Sequence, residues 1–190
     1  MEKIEHSLFL KGKFLIAMPG ILDFHFTESV IYICDHNQDG AMGLSLNSFS
    51  KHTDFASLIN YLNLSPIDKD LNVKVLNGGP VETSRGFVLH SLDYINEDTI
   101  EINDQIGLTA SVKIIEDIIN KKGPKKLILT LGYTGWGPGQ LEEEIQNNVW
   151  LSAEVDTKIL FNKDPTLIRK QVLENLGINI SLLSLESGKA

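Results

Sequence analysis

The chain has 190 residues and is 42% hydrophobic, 22% charged and 7% aromatic, with Gly 15 and Pro 6. That is enough for one domain, or a tightly joined pair, with a sizeable core, and it excludes collagen-like and low-complexity classes. Lys+Arg 17 against Asp+Glu 25 leaves a net charge of -8, which disfavours broad electrostatic attraction to nucleic acid or anionic membrane.

The N-terminal apolar runs are short and broken at Lys11, Gly12 and Lys13, with Glu2 and Glu5 where a secretory signal would be basic. No window approaches about 18 apolar residues, so no membrane span is expected and the cytoplasm is the expected compartment. The single cysteine, Cys34, cannot form an intramolecular disulfide or a multi-cysteine metal site.

Phe14 to Met18 is a short apolar run stopped by Pro19-Gly20, which reads as a buried strand entering a turn. Ser29 to Cys34 is rich in β-branched and aromatic residues. With the polar turn at 35–40 and the alternating stretch Gly43 to Asn47, it predicts a hairpin. Phe55, Leu58, Ile59 and Leu62 fall at helical spacing behind Thr53 or Asp54 as a cap. Asn72 to Leu76 alternates up to the break Asn77-Gly78-Gly79-Pro80, and Gly86 to Leu92 is a further strand.

Thr99 to Ile102 and Gln105 to Leu108 are short strand candidates. Ser111 to Lys121 reads as a helix stopped by Gly123-Pro124, and Lys126 to Leu131 as a central strand. A glycine loop at 132–139 leads into a helix from Gln140 to Asn147. Asp164-Pro165 opens a last helix that runs to about Leu176. Strands outnumber helices, and only the stretch from Gln105 to Lys126 suggests a crossover. The expected fold is α+β: one domain over 1–190, a mixed and mainly antiparallel sheet with flanking helices, and a frayed tail from about 184.

Two glycine-rich segments stand out. Gly132-Tyr133-Thr134-Gly135-Trp136-Gly137-Pro138-Gly139 opens a helix N-terminus, where free N–H groups favour anions. It lacks the phosphate-loop ending, however, and Glu142, Glu143 and Glu144 occupy the first turn. A tight structural turn with Trp136 packed on the core is the competing reading. In the second segment, Gly78 and Gly79 precede Arg85. Its guanidinium could grip a carboxylate or phosphate, or could pair with Glu82 or with an acid of the 142–144 run. The functional version brings Arg85 and both glycine segments to one pocket.

His36 and His90 lie at or near strand ends, where they could meet beside Asp35 to hold a metal. A hydrogen-bonded structural role is the simpler reading for each, and no metal site or cofactor is assigned. Cys34 ends an apolar strand and reads as an inert buried thiol. Four lysines at 121, 122, 125 and 126 form the one basic knob, and no nucleic-acid-binding motif accompanies them.

Taken together, these segments resemble the YqgE/AlgH family of bacterial proteins. The resemblance rests on Phe14 to Gly20; on Cys34 to Asn37 with Gly40 to Leu44 and Asn47; on Gly78 to Val81 with Arg85 to His90; and on Gly132, Tyr133, Gly135, Trp136 and Gly139 to Glu142 with Glu144. It runs from Phe14 to the C-terminus. The family usually has a basic residue and proline after the asparagine, where this chain has Ser48-Phe49. The resemblance implies a compact α+β cytosolic protein without an agreed enzymatic activity, some members being labelled transcriptional regulators.

The leading reading is a binding or regulatory protein acting through a small ligand or a protein partner. No catalytic residue is assigned; Gly78, Gly79, Arg85, His90, His36, Asn47, Tyr133, Trp136 and Gln140 are the candidate ligand contacts. The alternatives are an enzyme acting on a nucleotide or other phosphorylated small molecule, with His36 or His90 as base, and a regulator touching DNA through the lysines at 121–126.

Overall fold

In the computed structural model, which describes residues 9–65, 71, 73–154, 156–161 and 164–179, the first apolar run becomes β1 (Phe14–Ala17), with all four residues buried. β2 (Val30–Asn37) and β3 (Gly40–Ser45) form the expected hairpin, but its turn is shorter than the polar stretch suggested. Asp35 and His36 pair with Met42 and Ala41, and the turn narrows to Gln38-Asp39, where the Asp39 N–H donates to Asn37 Oδ1 at 2.8 Å. Polar composition signals a turn only where the backbone lacks a ladder partner. A bulge at Cys34 shifts the register between Ile33 and Asp35.

Helix α1 (Phe55–Tyr61) starts where Asp54 accepts from the Ser57 N–H at 2.8 Å. Strands β4 (Val75–Asn77), β5 (Val81–Ser91), β6 (Thr99–Glu101) and β7 (Ile106–Thr109) follow. Helix α2 (Val112–Ile119) then leads to β8 (Leu127–Trp136). Both β7 and β8 pair with β5 antiparallel, so β7 and β8 run parallel and α2 is the crossover expected between them. Helix α3 (Gln140–Gln146), β9 (Trp150–Ala153) and α4 (Ile168–Asn175) complete the order. A short 3₁₀ turn capped by Asp164 precedes α4. β9 carries too little alternation to be marked from sequence; its pairing with β1 defines it. The tail expected to fray from about 184, and Asn72 of the alternating stretch, lie outside the described residues.

The sheet order is β6-β7-β5-β8-β3-β2-β1-β9, with β4 pairing β8 in parallel. One apolar cluster joins Phe87, Leu89, Ile106 and Leu108 from one end of the sheet to Phe14, Tyr32 and Leu44 from the other, and α4 seals it with Ile168, Val172 and Leu173. A single cluster can draw on both ends only because the mainly antiparallel sheet curls around it. The outer side carries two further clusters. One lies under α1 and α2 and is built on Val88, Leu129 and Leu131. The other lies under α3 and contains Ile31, Ile33, Trp136, Leu141 and Trp150. The fold is the α+β arrangement read from the sequence.

β8 crosses all three clusters by changing phase. Leu129 and Leu131 point outward toward α1 and α2, so strict alternation would send Tyr133 outward too. Gly132 interrupts with φ +74, and Tyr133 packs inward while Trp136 packs outward under α3. The segment 132–139, read as a loop, is therefore strand as far as Trp136, and the glycine serves as a phase shift within it.

A cleft at the open end of strand β8

The two glycine segments meet as backbone against backbone. β4 lies on one side of β8, and Val81 of β5 pairs with Tyr133 on the other, so residues 78–80 must cross β8. The Gly78 N–H donates to the Leu131 carbonyl at 2.8 Å, and the Gly78 carbonyl accepts from the Ser45 N–H at 2.9 Å. A Cβ on Gly78 would strike the Gly132 carbonyl, and one on Gly79, at φ +149, would strike the Tyr133 backbone. The glycines are required because two main chains touch there. Their contacts are with the chain itself, which is the structural side of the choice read from sequence.

Past the crossing, β5 loops away from β8. Val81 pairs with Tyr133 and the next pair is Gly86 with Leu131, so Glu82–Arg85 form a bulge without partners on β8 and Glu82 takes φ +46. Arg85 sits on this bulge, its guanidinium donating to Glu82 Oε2 at 2.9 Å and stacking over Phe87 at 5.2 Å. Of the partners considered for Arg85, the structure selects Glu82.

On the outer face, Trp136 and Trp150 form an aromatic pair, with centroids 6.0 Å apart and Phe26 edge-on to Trp150. Both indole N–H groups donate to Glu144 Oε2, at 2.8 Å and 2.7 Å. Gln140 completes the set. Its Oε1 accepts from the Gly137 N–H, which fixes the amide orientation, and its Nε2 donates to Glu144 Oε1 at 2.8 Å. Three donors on one carboxylate match its ionised form. Of the three acids expected in the first turn of α3, only Glu142 and Glu143 lie there; Glu144, one turn on, orients the tryptophans, and Glu142 meets a histidine.

That histidine is His36. The Leu10 N–H can only donate, so His36 Nδ1 accepts at 2.9 Å, the ring proton sits on Nε2, and Nε2 donates to Glu142 Oε1 at 3.0 Å. His90 is fully buried at the other end of the sheet. Its Nδ1–H donates to the Ser91 carbonyl at 3.1 Å and its Nε2 accepts from the Thr109 hydroxyl at 2.9 Å. Burial holds its pKa below the ordinary histidine value. The two histidines do not meet, which corrects the metal-holding alternative, and each takes the hydrogen-bonded structural role, the simpler reading. His36 pairs with Ala41, which pairs with Trp136 at one end of β8, whereas His90 pairs with Leu127 at the other. Among the described residues no group of three His, Cys, Asp or Glu side chains is placed to hold a metal.

Asn47 is also turned to the fold. Its Oδ1 accepts from the Val30 N–H and its Nδ2 donates to the Glu28 carbonyl, both at 2.9 Å, clamping the entry to β2 where Glu28 takes φ 60. Cys34 is fully enclosed, and burial pushes its thiol pKa well up, as an inert thiol requires.

Two depressions flank the end of β8. The outer one, about 770 Å³, is walled by Pro19 to Asp23, Phe26, Pro80, Trp136, Gln140, Glu144 and Trp150. The inner-face one, about 590 Å³, is lined by Asp35, Asn37, Asp39, Glu82, Arg85, Phe87 and Tyr133. Val81, Gly135 and Trp136 border both. Sequence reasoning missed Trp150, Glu144 and the Pro19–Phe26 segment as parts of one wall. The presence of a second tryptophan beyond the glycine loop was the available signal.

Fold and site define a class: an α+β protein with a curled, mostly antiparallel sheet and an aromatic-walled cleft where glycine and proline segments converge. The family model described as AlgH-like matches residues 14–181, and the chain belongs to that family. A UPF0301 protein of Afipia carboxidovorans is 46% identical, the match covering 97% of this chain and 91% of that one. The UPF0301 protein R00917 of Rhizobium meliloti is 42% identical over 100% of this chain and 98% of its own. The solution structure of the AlgH protein from Pseudomonas aeruginosa superposes with a TM-score of 0.79 at 38% identity, covering 96% of each chain. The crystal structure of protein DIP2367 from Corynebacterium diphtheriae, at 21% identity and TM-score 0.68, shares the fold.

Proposed function

We propose that the protein is a cytoplasmic binding protein of regulatory type, whose small ligand or protein partner seats in the outer cleft at the end of β8. The observation that carries this reading is the convergence on one cleft of three separate chain segments, Pro19–Asp23, Pro80–Val81 and Thr134–Trp136, around two indoles oriented by one carboxylate. Concave, largely apolar sites with a few fixed polar groups are the usual form of a binding site. Both histidines that could serve as a general base have their ring nitrogens committed to the fold, which weighs binding above catalysis.

The test is a thermal-shift panel of nucleotides, phosphorylated metabolites, duplex DNA and short peptides, read in parallel by tryptophan emission. A true ligand at about 100 times its dissociation constant adds roughly 2.7 kcal/mol and raises the melting temperature by several degrees. The emission change should shrink in Trp136→Phe and vanish when Trp150 is replaced as well. A panel that moves neither signal overturns the reading.

A further inference from the structure

The C-terminal end of β8 is a sheet edge. Thr134, Gly135 and Trp136 pair with Gly43, Met42 and Ala41 on one side, and β5 stops pairing at Tyr133 on the other. Among the described residues no strand pairs with the second side past Tyr133, and only the Gly79-Pro80 crossing lies against its start, at Thr134. Alternate residues of a strand direct their N–H and C=O to opposite sides, so this edge offers backbone groups to an added strand.

The two depressions open on opposite faces of that edge, since Tyr133 packs on the inner side of the sheet and Trp136 on the outer. A strand added here would send successive side chains alternately into one and then the other. The two differ in chemistry. The outer cleft is built on aromatic and apolar side chains, its two carboxylates are already engaged, Asp23 by His25 and Glu144 by the indoles and Gln140, and beside it stand Leu22, 99% exposed, and Phe24, 77% exposed. The inner-face depression carries three carboxylates, Asp35, Asp39 and Glu82, against one cation, Arg85, which Glu82 already engages. Asp35 and Asp39 make no salt bridge among the described residues.

Resting on the binding reading above, we propose that the occupant is an extended segment of a partner protein that pairs with the β8 edge, with basic side chains at alternate positions over Asp35 and Asp39 and apolar side chains between them in the tryptophan cleft. Charge selects this occupant over a second copy of the chain, because two molecules of net charge -8 would bring like charges together. It also selects against an anionic ligand at Arg85. The edge is three residues long, about 10 Å, so the alternating side chains supply most of the selectivity.

The experiment titrates the intact protein, at physiological salt, with an acetylated and amidated heptapeptide of alternating lysine and leucine, read by calorimetry and tryptophan emission. Three comparisons accompany it: alternating glutamate and leucine, the lysine peptide with its residues rearranged in blocks, and the alternating peptide N-methylated at its lysines only or its leucines only. The alternating lysine peptide is expected to bind about tenfold more tightly than the glutamate or block peptide. The exposed double substitution Asp35→Asn with Asp39→Asn should weaken it by about as much. Only one N-methylated peptide should lose binding, the one blocked on the set of residues facing the edge.

Equal binding of the block peptide, equal tolerance of both N-methylated forms, or no peptide binding each overturns the proposal. A small molecule that still moves the tryptophan emission while every peptide fails leaves the binding reading standing and removes this one. Silence from both panels removes both.

Discussion

The two ends of β8 invite comparison because they belong to one strand with opposite fates. From Leu127 to Leu131 the strand has β5 on one side, is joined by β4 on the other over Leu129–Leu131, and packs under α1 and α2. From Thr134 to Trp136 it has β3 alone and a depression on each face. The buried end closes on itself even around its polar group, His90, whose nitrogens are both used. The open end also buries one histidine, His36, against Glu142, but it turns Glu144 to the indoles and leaves Asp35 and Asp39 at the surface. Stability is concentrated at one end and access at the other, and Gly132 is the joint between them.

The largest expected effect attacks the joint. Gly78→Val forces a side chain into the Gly132 carbonyl and the Thr130 side chain, with no flexible neighbour to give way. It should cost about 3 kcal/mol or more in urea denaturation. A loss under 1 kcal/mol, on the scale of the smallest core changes, would show that the crossing is loose and that the two ends are not separated by it.

Within the open end, Glu144→Ala strips three donors of their acceptor, two of them on buried indoles. A cost of roughly 2 kcal/mol is expected, with a changed tryptophan emission. Unaltered emission would mean that Glu144 does not orient the rings.

At the closed end the test is pH. His90 has a folded pKa below its unfolded value, chiefly through burial, so the unfolded chain binds more protons as the pH falls. Stability should be fully present above the unfolded value of about 6.5 and decline as the pH drops through it. The decline should flatten in His90→Gln, read as denaturation midpoints across the range. An identical slope in the variant would place the acid sensitivity elsewhere.

The smallest effect belongs to the exposed pair on the bulge. Arg85→Ala removes a surface ion pair in which both side chains are about half exposed, so stability should change by no more than about 1 kcal/mol. The same variant separates two views of the open end. If Arg85 served an anion, binding would fall; a basic partner should bind as well or better once the cation is gone.

Local chemistry was legible along the chain. The cap at Thr53 or Asp54, which the structure resolves to Asp54, and the apolar runs of β1, β2 and β8 placed most elements within a few residues, whereas the helix expected to stop at Gly123-Pro124 ends at Ile119 with Lys121, not the glycine, in the left-handed conformation. The motifs around Pro19, Gly78, Trp136 and Gln140 pointed to segments that do border one cleft. Less visible were β9, defined by its partner β1, and the continuation of β8 through its glycines, which reads as loop until the crossing of residues 78–80 gives them a use. His36 and His90 looked interchangeable in sequence because each follows an apolar strand pattern. Their positions at opposite ends of β8 depend on pairing partners far along the chain.

Sequence by itself determined the α+β class, the family and the residue types at the glycine crossing, because propensity, periodicity and backbone freedom are local properties that a chain carries wherever it goes. Tertiary structure alone decided which of two neighbours each polar group would meet. Arg85 went to Glu82, Glu144 to the two tryptophans and Glu142 to His36. It also left one end of β8 without a second partner, since pairing and burial are set by contacts between residues distant in the chain.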